Sequence, residues 1–284
     1  MPVVDVAVSG GISKAHYLVT GSGPGLVLVH GTGATGRANW GPLIEALADR
    51  YTIVAPDLPG SGGTRDPGGP ITLHDMVAHV VAAARDAGLE HFHLAGHSLG
   101  AVVATATAGL HPGLVSSLAV HAGWVRADAQ MAFQFELWKD LVRTDPAAMA
   151  RMLLLTAMGK DTLRTWDGAT FEQAAAAFTA LLAGEGEKEG SGGRAGDGFA
   201  RQSEANVTFD LTSLLPEVTA PTLIISSADD RIVFPHHQLE LADGIPHARL
   251  LRVPGGHGLP GENPGAPHRQ GRRAPRQCGL TAQA

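Results

Sequence analysis

Cysteine is nearly absent from this sequence. Cys278 is the single one in 284 residues, so there is no second thiol for an intrachain disulfide or a cysteine-based zinc site, which argues against thiol and redox chemistry. Apolar runs are short: none reaches the roughly 18 residues of a membrane-spanning helix. Residues 1–10 lack the basic flank and apolar stretch of a signal peptide, so the expected location is the cytoplasm, with no membrane partner. A basic excess is missing too, the formal net charge being -6. Four of the 21 basic side chains (Arg269, Arg272, Arg273 and Arg276) fall after His268, where no acid lies, so the first 267 residues carry 17 basic against 27 acidic side chains. Nucleic acid needs a basic face and is excluded as a partner. What remains, 44% hydrophobic and 17% charged, is ordinary globular composition with enough apolar side chains for one large core. A small-molecule substrate is the expected partner, and self-association is left open.

The first half alternates β-rich runs with helical patterns, which predicts a mostly parallel sheet covered by helices. Strands are expected at 3–8, 16–19, 26–29, 52–55, 92–95 and 118–121, and again at 222–226 and 249–253. Leu73, Met76, Val77, Val80, Val81 and Ala84 form one apolar helical stripe, with Thr72 and Asp75 as a start signal. Over 124–216 the β-runs vanish and three helical patterns appear, around Phe135, Trp138, Leu141 and Val142, around Met149, Met152 and Leu153, and around Phe171, Ala175, Phe178 and Leu182. Thr170 and Gln173 read as a capping box for the third. The expected division is therefore a core of 1–123 and 217–267 with an inserted helical cap at 124–216. The Gly-, Glu- and Lys-rich stretch 184–198 is expected to be a mobile loop, and 268–284, without periodicity, a disordered tail.

The motif that carries chemistry is Gly96-His97-Ser98-Leu99-Gly100, directly after the strand 92–95 and before the small-residue helical run from Ala101 to Leu110. Small neighbours allow a sharp strand-to-helix turn that raises a serine above the sheet, and the following helix N-terminus puts N–H groups and partial positive charge where an oxyanion forms. On this motif in this context, the chain resembles the α/β-hydrolase superfamily from about Gly23 to about Pro264, in the serine-nucleophile branch.

The resemblance implies the rest of the site. Ser98 would be the nucleophile. His30-Gly31-Thr32-Gly33, after the strand 26–29, looks like the family's oxyanion loop, so the N–H of Thr32, or else of Gly33, would join that of Leu99. Asp57 to Gly62 resembles a structural turn. Ala228 to Pro235 resembles the loop that carries the triad acid, at Asp230, while Asp229 and Asp128 remain alternatives. Pro254-Gly255-Gly256-His257-Gly258, with Glu262-Asn263-Pro264 beyond, resembles the family's histidine loop and makes His257 the base. Ser, Asp and His then follow in the family's order.

The implied activity is ester hydrolysis through an acyl-enzyme, needing no metal and no organic cofactor. A serine at position 98 argues against epoxide hydrolase and haloalkane dehalogenase chemistry, which uses an aspartate. Carbon-carbon bond hydrolysis and cofactor-free haloperoxidase-like perhydrolysis share the same triad and stay as alternatives, as does a ligand-binding relative without turnover. Gly31, Trp40, Trp124, Phe135 and Trp138, together with Phe133, are candidates to line an apolar pocket under the cap, suited to a small or aromatic metabolite. The His-Ala-Gly-Trp stretch 121–124 resembles hydrolases of bacterial secondary metabolism, including aromatic polyketide tailoring.

Overall fold

The computed structural model describes residues 1–66, 68–183 and 195–262. Eight strands form one sheet: β1 (Val3–Val8), β2 (Gly11–Thr20), β3 (Gly25–Val29), β4 (Thr52–Pro56), β5 (Phe92–His97), β6 (Val115–His121), β7 (Thr222–Ser227) and β8 (Arg249–Val253). Their order across the sheet is β1-β2-β4-β3-β5-β6-β7-β8. β2 runs antiparallel to both β1 and β4, and every later pairing is parallel. The sheet is thus the mostly parallel, helix-covered one expected. All five residues of β3 are buried, as a strand covered on both faces requires.

Helices α1 (Gly36–Leu47), α2 (Leu73–Asp86), α3 (Leu99–Leu110) and α9 (Pro235–Gly244) connect strands, and α10 (Leu259–Glu262) follows β8. The six stripe residues of α2 are all buried, and the Thr72 hydroxyl accepts the Asp75 N–H at 3.1 Å. Between β6 and β7 stand α4 (Ala129–Thr144), α5 (Pro146–Ala157), α6 (Lys160–Thr165), α7 (Gly168–Ala183) and α8 (Ala195–Asn206). Trp124, Phe135, Trp138 and Phe199 from this region belong to the same apolar cluster as Val29, Leu94 and Val120 of the sheet. The inserted helices therefore share the core's apolar interior.

Two local expectations are corrected. Helix α7 starts before Thr170: Asp167 Oδ1 accepts the Thr170 N–H at 2.8 Å and its hydroxyl proton at 2.7 Å, so the aspartate is the cap. The last part of the expected loop 184–198 is the first turn of α8, where a Cβ on Gly198 would stand 1.8 Å from the Gly60 carbonyl oxygen. That turn is pinned by backbone-to-backbone contact. Residues 184–194 and the tail 268–284 lie outside the described residues.

Candidate active site

Ser98 occupies the turn between β5 and α3 with φ 56° and ψ -122°. An L-residue avoids this region, and strain of this kind persists only where the surroundings impose it. Here they do: the Ser98 N–H donates to the His121 carbonyl at 2.9 Å, and the Ala101 N–H donates to the Ser98 carbonyl at 2.8 Å. The two glycines are required by close approach. A Cβ at Gly96 would fall 2.2 Å from the Gly100 oxygen, and one at Gly100 2.1 Å from the Val29 oxygen. The serine side chain is left facing a cavity, and among the described residues its hydroxyl makes no hydrogen bond.

His257 lines the same cavity. Its Nδ1 lies 3.0 Å from Asp230 Oδ2 and 3.2 Å from Oδ1. Burial raises the Asp230 carboxyl, but the His257 imidazole, His121 and the Val233 N–H outweigh it and hold the group below the usual carboxylate range. The other two aspartates are engaged elsewhere. Asp229 pairs with Lys160 at 2.8 Å, and Asp128 caps α4 by accepting the Met131 N–H at 2.8 Å. The His257 loop is fixed by Glu262, whose carboxylate accepts the N–H groups of Gly256 (3.0 Å) and Gly159 (2.9 Å) and the Thr162 hydroxyl. Gly256 is pressed against the end of α5, since a Cβ there would stand 2.3 Å from the Ala157 oxygen.

The loop after β3 sorts its own N–H groups. Gly31 donates to Asn39 Oδ1 at 2.9 Å and Gly33 to Gln202 Oε1 at 2.8 Å. Between them the Thr32 N–H has no acceptor among the described residues. Gly33, the other donor considered in the sequence, has its N–H committed to Gln202. Leu99 opens α3, where its N–H has no intrahelical acceptor, so its N–H and that of Thr32 are both uncommitted among the described residues. His30 is structural: Nδ1 donates to the Gly31 carbonyl at 2.7 Å while Nε2 accepts the Leu58 N–H at 2.9 Å, which fixes the tautomer. Asp57 Oδ1 accepts the Gly36 N–H at 2.9 Å, a structural contact of the turn after β4.

Gln202 and Asn206 were not legible as site residues. Gln202 also donates to the Pro59 carbonyl at 2.8 Å and the Ser61 hydroxyl at 3.0 Å, and Asn206 Nδ2 donates to Thr32 Oγ1 at 3.0 Å. Helix α8 thereby clamps the loop that presents Thr32. The only signal in sequence was a run of polar residues at helical spacing, which ordinarily marks a solvated face.

The cavity measures about 500 Å³ and is mostly apolar, within the range of small-molecule sites. Gly31 and Trp138 line it as expected of them in sequence. Trp40, Trp124 and Phe135 do not. Trp40 packs in a separate cluster with Ile44 and Ile53, and Trp124 and Phe135 lie one layer behind Trp138, with Phe135 5.2 Å from it edge-on. Phe133 faces outward at 79% exposure. The wall is made instead by Trp138, Leu153, Leu154, Trp166, Phe178 and Phe199 of the inserted helices.

A second buried pair flanks the site. His97 Nδ1 lies 3.0 Å from His121 Nδ1, and His121 Nε2 lies 2.8 Å from the Ser227 hydroxyl. Two neutral rings satisfy this chain, one donating and the other accepting, whereas protonation of both rings would set N–H against N–H. Burial, above all, pushes His121 down to about 4 and keeps His97 well below the ordinary range.

A strained serine at a strand-to-helix turn, a buried histidine–carboxylate pair and uncommitted backbone N–H groups thus stand together beside one cavity. The chain belongs to the alpha/beta hydrolase fold family, whose model matches residues 24–264. It is 35% identical over 255 residues to pyrrolizixenacetamide deacetylase of Xenorhabdus hominickii, covering 89% of this chain and 91% of that one. It is 31% identical over 256 residues to the pimeloyl-[acyl-carrier protein] methyl ester esterase of Stenotrophomonas maltophilia, covering 85% and 89%. A thermophilic esterase from Thermogutta terrifontis superposes with a TM-score of 0.78 at 23% identity, covering 96% of this chain and 97% of that chain, which shows the shared fold.

Proposed function

We propose that this protein is a serine hydrolase that cleaves a carboxylic ester or a simple amide of a compact, largely apolar metabolite. The observation that carries the proposal is the strained Ser98 facing the same cavity as His257, whose Nδ1 is held by Asp230. In this reading His257 Nε2 takes the Ser98 proton as the serine oxygen bonds to the substrate carbonyl carbon. The N–H groups of Thr32 and Leu99 receive the oxyanion. The imidazolium returns the proton to the leaving alcohol or amine as its bond breaks, and water repeats the sequence to release the acid and restore Ser98. Asp230 fixes the imidazole tautomer and stabilises the imidazolium. None of these steps calls on a cofactor.

Likeness to a deacetylase and to a methyl ester esterase supports a small acyl or alkyl group at the reacting end. Residues 124–216 act as a cap on the core of 1–123 and 217–267, and their apolar wall chooses the substrate. Action in the cytoplasm belongs to the same proposal, supported by an acid-rich chain with a single cysteine. The test is a panel of p-nitrophenyl esters of rising acyl length, run beside a fluorophosphonate probe. One probe per chain, at Ser98, and turnover abolished by Ser98→Ala are expected. Labelling at another residue, or turnover that survives Ser98→Ala, refutes the proposal.

A further inference from the structure

Asp128 caps α4, and His236 and His237 open α9, so two helix ends meet at residues that do not line the cavity. His236 Nε2 lies 3.2 Å from Asp128 Oδ2, and His237 Nε2 lies 3.3 Å from the same oxygen. One ligand atom from each of the three residues falls within 4.8 Å of the others. The edge of a tetrahedron with metal–ligand bonds of about 2.0–2.1 Å is about 3.3 Å, so the two separations between Asp128 and the histidines match those of ligands around a zinc-sized ion.

The hydrogen bonds present do not account for the cluster. His237 is 1% exposed, yet among the described residues neither of its ring nitrogens has a well-aligned hydrogen-bond partner. A buried imidazole without a partner is uncommon, and one aimed at a carboxylate and a second imidazole is what a metal ligand looks like before its ion arrives. The Nε2 of His237 is the nitrogen turned towards Asp128. Its other nitrogen, Nδ1, faces Glu240 Oε2 at 3.8 Å, where a carboxylate orients a ligating histidine. The two helix N-termini oppose a cation, but the imidazoles reach past the helix end and Asp128 and Glu240 supply two negative charges beside them.

We propose that Asp128, His236 and His237 bind one divalent transition-metal cation of the zinc class through one oxygen and two nitrogen ligands, with a fourth position open. The ion joins the first inserted helix, α4, to α9, the helix that follows the loop carrying Asp230. It lies outside the hydrolytic site, so its role is to tie the inserted helices to the core.

The test uses the full-length chain without an affinity tag, stripped with a chelator and titrated with Co²⁺ and with Zn²⁺. Expected are one equivalent of binding, a Co²⁺ visible spectrum of low coordination number, and a Tm that rises with metal concentration. His236→Gln, at a half-exposed position, and Asp128→Asn, which keeps the capping oxygen, should each weaken binding at least about 10-fold and abolish the Tm shift. Both should leave ester turnover in chelator unchanged. Absence of stoichiometric binding, or binding and Tm shifts that survive both substitutions, overturns the proposal.

Discussion

At the scale of single residues, what separates the three aspartates is where their oxygens are already spent. Each of Asp128, Asp229 and Asp230 follows a strand end, so position along the chain left all three open as partners of His257. The structure divides them: Asp128 caps α4, Asp229 pairs with Lys160, and Asp230 alone is buried against His257 Nδ1. If Asp230 fixes the imidazole tautomer, Asp230→Asn should lower kcat by about three to four orders of magnitude, because the amide offers a donor where an acceptor is needed. Asp128→Asn should leave kcat within about twofold, since its side chain makes no contact with the reacting groups. Steady-state kinetics on the two variants, with circular dichroism to verify folding, decide the matter; the reverse pattern would move the acid to Asp128. Ser98 and His257 were legible because their neighbours are glycines in a fixed order around them. The pocket aromatics were not, because helical spacing tells which side chains are buried without telling whether they face a cavity or the core behind it, and Trp124 and Phe135 lie behind Trp138.

At the scale of elements, α2 and α8 show what pattern can and cannot reveal. The stripe of α2 is apolar throughout and packs on the sheet, so periodicity found it. Helix α8 buries Phe199 and Ala200 but also Gln202, Ser203 and Asn206, so half of its inward face is polar and its sequence resembles a solvated loop. The Gln202 amide bonds to the loop after β3 and to the turn around Gly60, and Asn206 Nδ2 donates to Thr32, so α8 braces the loop that carries Thr32. Replacing Gln202 by Leu keeps the volume but leaves the Gly33 N–H and the Pro59 carbonyl without partners. With the loop freed, the Thr32 N–H should drift from the position the oxyanion needs, and kcat should fall by about 10-fold to 100-fold with little change in KM. The KM-against-kcat split is the readout, measured beside Tm. A rise in KM at constant kcat would mean that Gln202 shapes the cavity and does not position the loop.

At the scale of the whole molecule, the number of histidines buried neutral sets the response to acid. His30, His79, His97 and His121 are each held below the ordinary histidine value chiefly by burial. His79 spends its ring on the Asp75 carbonyl at 2.7 Å and the Ser13 hydroxyl at 2.9 Å, so it ties α2 to β2 far from the active site. A depressed value means that the unfolded chain takes up protons that the folded one refuses, so stability rises with pH across the interval between the two values. Stability from these groups is complete above 6.5 and is lost as the pH falls towards the folded-state value, which for His121 is about 4. A shift of that size corresponds to on the order of 3 kcal/mol from His121 alone, enough to consume much of the margin of an ordinary domain. The expected outcome is a Tm that is flat from pH 8 to about 7 and then drops steeply by pH 5, before most carboxylates have titrated. Urea unfolding of His121→Asn should show a shallower fall over the same interval, because the asparagine can still exchange hydrogen bonds with His97 and Ser227 while carrying no proton-linked penalty. An unchanged slope in that variant would show that the neutral His97–His121 pair contributes nothing to the pH dependence.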